Sequence, residues 1–264
     1  MSRDERERLE AYRRKKRRER LCIRTTQVAF LLAFLLGWEV LSRAKILDPL
    51  LFSRPSLIAE TIARLAAEGG LGTHIAVTVL ETIAGFLAGT AAGVLLAALL
   101  WFSPFWARVL DPYLVVLNSM PKVALGPLFI VAFGSGMTAI FMMALAVSVI
   151  VTTLVVYGSF QATDPNYLKL ARSFGANRRQ LFTTVVFPYA RPAILSALKV
   201  NVGLSWIGVI VGEFLAAKAG LGALIIYGFQ LFNFHYVLTA IVLIALLSAV
   251  MAAAVDRLVR RFER

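Results

Sequence analysis

The chain has 264 residues, of which 59% are hydrophobic and only 16% are charged. Soluble domains average close to half apolar residues and about a quarter charged ones, so this composition excludes an ordinary soluble globular protein. Apolar runs close to the roughly 20 residues needed to cross a bilayer recur along the chain. Together they predict an all-α, polytopic transmembrane helical bundle.

The N-terminal segment is strongly basic. Residues 1–24 hold 11 of the 28 Lys and Arg residues, and the net charge of the whole chain is +13. We interpret this segment as a solvated cytoplasmic tail, and basic residues next to a span also attract anionic membrane lipid. Nucleic-acid binding is not expected, because Tyr12 alone in the tail offers a ring for base stacking. The single cysteine, Cys22, excludes an internal disulfide.

Six membrane spans are predicted in chain order. The first, at 25–42, is expected to remain as an anchor, because no small-residue cleavage site follows its apolar stretch. Residues 43–74 then form an extracytoplasmic connection that contains an amphipathic helix at 56–70. A core domain of five spans occupies 75–257, and a basic C-terminus follows at 258–264. The expected core spans are 75–102, 113–133, 137–160, 193–216 and 236–255.

The orientation follows from the distribution of basic residues. With the N-terminus in the cytoplasm, the inner segments carry 21 of the 28 Lys and Arg residues and the outer segments carry five. Cytoplasmic loops are enriched in Lys and Arg. The sequence therefore predicts that both termini lie in the cytoplasm.

The most informative segment is the polar cytoplasmic loop at 161–192. Asp164 followed by Pro165 predicts a helix start, because the carboxylate can cap the helix and proline suits its first turn. Gly175 is expected to end this helix in a left-handed conformation. Asn177 is expected to cap a second helix, which prolines at 188 and 192 should stop before the next span. The first helix has an apolar stripe formed by Tyr167, Leu170, Ala171 and Phe174.

The stripe leaves two alternatives open. Such a helix can pack on the bilayer surface and the neighbouring spans, or it can dock into a partner protein. The residues alone do not decide between them.

The loop resembles the permease signature E-A-A-x3-G-x9-I-x-L-P of ATP-binding-cassette (ABC) importers. The matching positions are Ala171, Gly175, Val185, Phe187 and Pro188. Further segments at 54–56, 110–134, 171–188 and 212–222 occur in order and look like the permeases of the nitrate, sulfonate and taurine importer group. The resemblance runs from about residue 50 to the end of the chain and implies the type I ABC importer permease fold.

In such permeases the loop forms coupling helices that dock on a cytoplasmic ATPase, and the chain itself is not an enzyme. The resemblance assigns coupling to Lys169, Leu170, Ala171, Arg172, Ser173, Phe174, Gly175, Ala176 and Pro188. Lys169 departs from the signature, which has glutamate there. The chain has no G-x-x-x-x-G-K-[ST] motif, so ATP and Mg²⁺ are expected on the partner and no cofactor on this chain.

The resemblance also implies a bacterial inner-membrane location and further partners. These are an extracytoplasmic solute-binding protein and a second permease copy, with a homodimer expected. The cargo implied is a small anion such as nitrate, a sulfonate or taurine, although related permeases carry vitamin precursors. A secondary transporter is the alternative, but it would typically show inverted repeats, which we do not find here.

Polar groups inside spans are the candidates for a translocation path, since they usually face protein or a water-filled cavity. The candidates are Asn118, Ser119, Pro121, Lys122, Asn201, Ser205 and Glu213. Two structural alternatives stand beside them: a stabilised kink around Pro121, and helix-to-helix hydrogen bonds by Asn201 and Ser205. No cluster of nucleophile, base or metal ligands is recognisable in the sequence, and the two histidines, His74 and His235, are far apart in it.

Overall fold

The computed structural model describes residues 3–262, and within that range the chain is helical, with no β-strand. Helix α1, Arg3–Arg43, joins the predicted tail and the predicted first span without a break. Five helices are long and apolar enough to cross a membrane, and a bent helix pair makes a sixth candidate. The protein is therefore a multi-pass helical bundle, as the composition predicts.

The connection after α1 folds back on the outer end of that helix. It contains a short helix α2, Pro49–Phe52, and the amphipathic helix α3, Pro55–Ala67. Glu39 of α1 accepts hydrogen bonds from the Ser56 backbone (3.0 Å) and the Ser56 hydroxyl (2.8 Å). The Glu39 carboxylate thus satisfies an otherwise unpaired N–H group at the start of α3.

Three long helices form the centre of the bundle. They are α4 (Leu71–Phe102), α7 (Met137–Gln161) and α10 (Phe187–Ala216). The packing of α7 between the other two depends on small residues. A Cβ atom on Gly85 would lie 2.5 Å from the Cβ of Ala144, and a Cβ on Gly208 would lie 2.7 Å from the Cα of the same Ala144.

The predicted third span differs from the structure. Helix α5, Pro104–Ser119, begins nine residues before the expected start at 113, immediately after Ser103 ends α4. A 100° bend then separates α5 from a short 3₁₀ turn and helix α6, Gly126–Phe133. Pro121 lies in the bend with extended backbone geometry. A residue before proline avoids the α-helical region, so the helix ends at Met120 instead of crossing as one rod.

The cytoplasmic loop contains the two expected helices, but the second one does not stop. Helix α8, Pro165–Ser173, is followed by α9, Arg178–Leu181. A π-helical turn, Phe182–Val186, then leads directly into α10. The prediction that Pro188 and Pro192 end this helix was wrong. Pro188 lies in the first turn of α10, where a missing N–H is tolerated, and the wider π turn just before it absorbs the change in register.

Two helices complete the bundle. Helix α11, Leu221–Gln230, was not predicted, and helix α12, Phe234–Phe262, contains the sixth span and most of the C-terminus. Leu224 and Ile225 of α11 pack on Val237 and Ala240 of α12 in a buried cluster. Because α11 has only 10 residues, it is too short to span a bilayer by itself.

Candidate functional site

The first loop helix presents its apolar stripe to the surroundings of the chain. Tyr167 is 58% exposed, Leu170 is 56% exposed and Phe174 is 83% exposed. Together with Ala171 and the start of α10, these side chains line a shallow groove. Burial of a large apolar side chain is favourable by about 1.5–3 kcal/mol. These three residues therefore form a surface that would gain stability from a covering partner.

The conformation of the loop comes from local signals that the sequence predicted correctly. The Asp164 carboxylate accepts a hydrogen bond from the Asn166 backbone at 2.8 Å. Gly175 has φ of +79°, which side chains with a Cβ rarely adopt. Asn177 and Gln180 cap each other's backbone N–H groups at 2.9 and 2.8 Å in a complete capping box.

Arg178 connects the loop to the C-terminal end of α4. Its guanidinium donates a hydrogen bond to the Trp101 carbonyl at 3.1 Å. The same group lies 5.6 Å from the centre of the Trp101 ring. Trp101 is in the last turn of α4, where carbonyl groups lack helical partners and a cation is favourable. Arg178 is thus a brace between the loop and a membrane span.

Phe182 is at the centre of an aromatic cluster under the loop. Its ring centre lies 5.1 Å from that of Trp101, 4.9 Å from Phe102, 5.3 Å from Phe160 and 5.9 Å from Phe187. These rings come from α4, α7 and α10. The cluster therefore gives the loop direct contact with all three central helices.

The other residues assigned to coupling surround the stripe. Lys169, Arg172, Ser173 and Gly175 are exposed, whereas Ala171 and Ala176 are half-buried. Pro188 is half-buried inside the first turn of α10. Its position supports the helix behind the loop and does not add to the exposed surface.

The polar residues around Pro121 lie at the bend between α5 and α6. Asn118, Ser119 and Pro121 are exposed and Lys122 is half-buried. The Lys122 ammonium donates to the Asn118 carbonyl at 2.9 Å, and the Ser119 hydroxyl donates to the Val115 carbonyl at 2.9 Å. These bonds satisfy carbonyl groups at the end of α5, as expected if the polar residues stabilise a kink. The side chains at the bend are nevertheless exposed and are not covered by other parts of the chain.

Asn201 and Ser205 are fully buried between the central helices. The Asn201 amide donates to the hydroxyls of Thr90 (2.8 Å) and Thr152 (2.6 Å). The Ser205 and Ser148 hydroxyls lie 3.1 Å apart. These bonds link α10 to α4 and α7 within one chain. The placement favours the alternative in which the two residues hold helices together.

Glu213 is also buried and lies beside Glu81, which is on α4. Its carboxylate accepts hydrogen bonds from the Thr78 hydroxyl (2.6 Å) and the Gly222 backbone (2.7 Å). Thr78 and Glu213 are 135 positions apart, and nothing in the sequence predicts that they are in contact. Lys199, also on α10, pairs with Asp256 of α12 at 3.2 Å.

Within residues 3–262, no three His, Cys, Asp or Glu side chains lie together in a way that could hold a metal ion. The two histidines instead hydrogen-bond locally. His74 Nδ1 lies 2.8 Å from the Gly220 carbonyl, and His235 Nδ1 lies 2.8 Å from the Ser53 hydroxyl.

The structure is a multi-pass helical bundle with a braced, apolar surface on the loop between α7 and α10, which is the arrangement expected for a membrane permease subunit. Residues 89–264 match the family described as the binding-protein-dependent transport system inner membrane component. The chain belongs to this family. It is the permease subunit of an ABC importer, in agreement with the sequence prediction, and the ATP hydrolysis of such systems takes place on a separate subunit.

Several relatives cover most of the chain. A probable ABC transporter permease protein of Haemophilus influenzae is 29% identical over 86% of this chain and 92% of its own length. The formylaminopyrimidine transport permease protein ThiX of Halalkalibacterium halodurans is 32% identical over 73% of this chain and 76% of its own length. The taurine transport system permease protein TauC of Escherichia coli is 26% identical over 90% and 88%, respectively.

Solved structures share the fold. A structure of the MetNI methionine ABC transporter in an inward-facing conformation matches with a TM-score of 0.58 and 22% identity, covering 78% of this chain and 99% of the other. An amino acid ABC transporter matches with a TM-score of 0.59 and 22% identity, covering 77% and 97%. The predicted importer-permease fold is therefore confirmed.

Proposed function

We propose that this permease docks on its ATPase through the stripe of Tyr167, Leu170 and Phe174, and that it passes a small solute inward as one half of a homodimer. The observation that carries the proposal is the exposure of three large apolar side chains on a rigidly braced helix. A helix that lays an apolar face into a groove is a common mode of recognition between proteins.

The bracing of the loop supports docking over simple packing on the bilayer. Arg178 binds the inner end of α4, and Phe182 contacts aromatic rings of all three central helices. A loop that only rested on lipid would not need this connection. Through this connection, a conformational change of the partner ATPase on the cytoplasmic side can move the membrane spans.

The charges around the stripe indicate the chemistry of the partner. Lys169, Arg172 and Arg179 are exposed next to the apolar residues, and Asp164 is used as a helix cap. The signature glutamate is reversed in sign at Lys169. The proposed ATPase groove is therefore apolar at its floor and acidic at its rim, and ATP and Mg²⁺ bind to that subunit.

A second copy of the chain is proposed to cover the open side of the bend between α5 and α6. Val131 is 85% exposed and Leu128 is 63% exposed on α6, next to the polar residues at Pro121. A two-fold pair that joins these surfaces would place Asn118 and Lys122 of each copy near a shared path. A solute-binding protein would deliver cargo from the opposite side of the membrane.

The proposed location is the inner membrane of a bacterium, with both termini in the cytoplasm and with the basic start of α1 near anionic lipid. This orientation puts the docking loop on the same side as the basic tail, as the excess of Lys and Arg requires.

The proposed cargo is a small anion. Relatives are described as permeases for aliphatic sulfonates, taurine and nitrate. Others are described as permeases for formylaminopyrimidine and riboflavin, so a vitamin or its precursor is the second candidate. The test is to add the purified solute-binding protein, together with one candidate compound at a time from the anions and the vitamin precursors, to the complete transport complex. The compound that raises ATP hydrolysis by the complex identifies the cargo.

Docking is tested by co-purification of the co-expressed ATPase with permease variants. Phe174→Asp places a charge in the proposed interface at a position that makes little contact with the permease itself. We expect this variant to fold and to lose the ATPase, whereas Tyr12→Ala, a control at another exposed aromatic residue, should retain it. Normal recovery of the ATPase with Phe174→Asp would refute the assignment.

A further inference from the structure

Two glutamates from different spans lie together inside the bundle. Glu81 of α4 is 2% exposed and Glu213 of α10 is 1% exposed. Thr78, three residues before Glu81 on α4, lies 2.6 Å from the Glu213 carboxylate, so the two glutamates are neighbours inside the bundle. Among the residues whose side chains the structure describes (12 and 15–262), no Lys or Arg forms an ion pair with either carboxyl group. The pair is near the ends of α4 and α10 that are predicted to face outside.

Glu213 is surrounded by hydrogen-bond donors. The Thr78 hydroxyl lies 2.6 Å from Oε1, and the Gly222 backbone N–H donates to Oε2 at 2.7 Å. The Thr78 oxygen accepts from the Leu221 backbone N–H at 2.8 Å. Its single proton has two acceptors within reach, the Glu213 carboxylate at 2.6 Å and the His74 carbonyl at 3.1 Å, and the charged and nearer carboxylate is favoured. This arrangement suits an ionised carboxylate.

Glu81 has the opposite surroundings. Its Oε2 atom is buried without any hydrogen-bond donor. Two ionised carboxylates in contact repel each other, and burial penalises the charge of both. A proton on Glu81 removes the repulsion and the burial cost of the Glu81 charge, and the carboxyl O–H can then donate to Glu213.

We propose that Glu81 and Glu213 form a proton-binding site in the membrane, in which protonated Glu81 donates to ionised Glu213. The pair retains one negative charge. The other ionisable group that acts on it is His74, one helical turn before Thr78, whose Nδ1 lies 2.8 Å from the Gly220 carbonyl and 3.0 Å from the Gly220 nitrogen.

The bound proton ties three elements together. Glu81 belongs to α4 and Glu213 to α10, and the Gly222 N–H bonded to Glu213 is in the first turn of α11. The chain approaches Glu213 so closely that a Cβ on Gly220 would overlap its carboxyl group, and a Cβ on Gly222 would lie 2.7 Å from the Glu213 Cβ. Loss of the proton would add a second charge at this junction and push the α10–α11 connection away from α4.

The site is independent of the ATPase and the cargo, so it can be tested on the purified full-length permease. Infrared spectra of the wild type, Glu81→Gln and Glu213→Gln are recorded at neutral pH in detergent. We expect the difference between wild type and Glu81→Gln to contain the C=O stretch of a carboxylic acid, which lies above the amide I band and shifts in D₂O. In Glu213→Gln the same band should remain but change in frequency, because the buried acid of Glu81 would then donate to an amide carbonyl in place of a carboxylate.

Thermal unfolding supplies a second readout. A glutamine at position 81 keeps a donor towards Glu213, so its midpoint should stay close to that of the wild type, whereas Glu81→Leu removes the donor and should lower the midpoint. The absence of the acid band in the wild type, or its persistence in Glu81→Gln, would overturn the proposal. A wild type that lacks the band and is stabilised by sodium chloride over choline chloride would instead assign the pair to a sodium ion.

Discussion

Gly208 is a position where an added side chain would meet the backbone of a neighbouring helix. A methyl group there would lie 2.7 Å from the Cα and 3.1 Å from the backbone nitrogen of Ala144 on α7. Ordinary carbon contacts are about 3.5–4.0 Å, so α10 would have to move away by about 1 Å. The obstacle is backbone, which cannot rotate aside. Overpacking of this kind costs about 1–3 kcal/mol, and we expect Gly208→Ala to destabilise the permease by that amount.

Gly203 provides a matched control on the same helix. A Cβ at Gly203 meets no atom of the chain within 4 Å. Alanine is favoured over glycine inside a helix by up to about 1 kcal/mol, so Gly203→Ala should be neutral or slightly stabilising. The assay is the thermal unfolding midpoint of each variant, purified in the same detergent. Equal midpoints for Gly208→Ala and Gly203→Ala would refute the close packing of α10 on α7.

Three further predictions concern single contacts. Arg178→Gln should weaken the link between the loop and the Trp101 end of α4, so that solute uptake by the reconstituted complex falls more than its ATP hydrolysis; an equal fall in both would contradict the role of a brace. Asn201→Leu removes the amide that binds two threonine hydroxyls and should destabilise the bundle by about 1–2 kcal/mol, measured by reversible unfolding in mixed micelles; an unchanged unfolding curve would show that the network contributes nothing. Glu39→Gln weakens the cap on helix α3 and should speed proteolytic cleavage between α1 and α3, and unchanged cleavage would count against the cap.

Local signals in the sequence predicted the loop well. Asp164, Gly175 and Asn177 act within three or four residues of themselves, through a side-chain cap or a backbone angle. The hydrophobic runs likewise located the spans, because crossing a bilayer requires length and apolar composition. Helix α11 was missed because 10 residues are too few for a span signal, although its apolar run after Gly220 could have suggested a short helix.

Contacts between distant segments could not be predicted. The cap of α3 by Glu39 joins residues 17 positions apart, and Asn201, a candidate for the path, binds hydroxyls on two other spans. Pro188 was expected to stop a helix, but its effect depends on the π turn before it. In each case the residue type indicated a polar or strained position, and the partner was set by how the helices pack.

The most direct test of coupling through the loop uses Gly175 in the complete complex reconstituted in lipid. Gly175→Glu should destroy the turn between α8 and α9, because a residue with a Cβ is strained at φ of +79°. Gly175→Asn is the control, since asparagine tolerates that conformation. We predict that Gly175→Glu either loses the ATPase subunit or hydrolyses ATP without solute uptake, while Gly175→Asn keeps both activities. Normal assembly and uptake with Gly175→Glu would contradict the account.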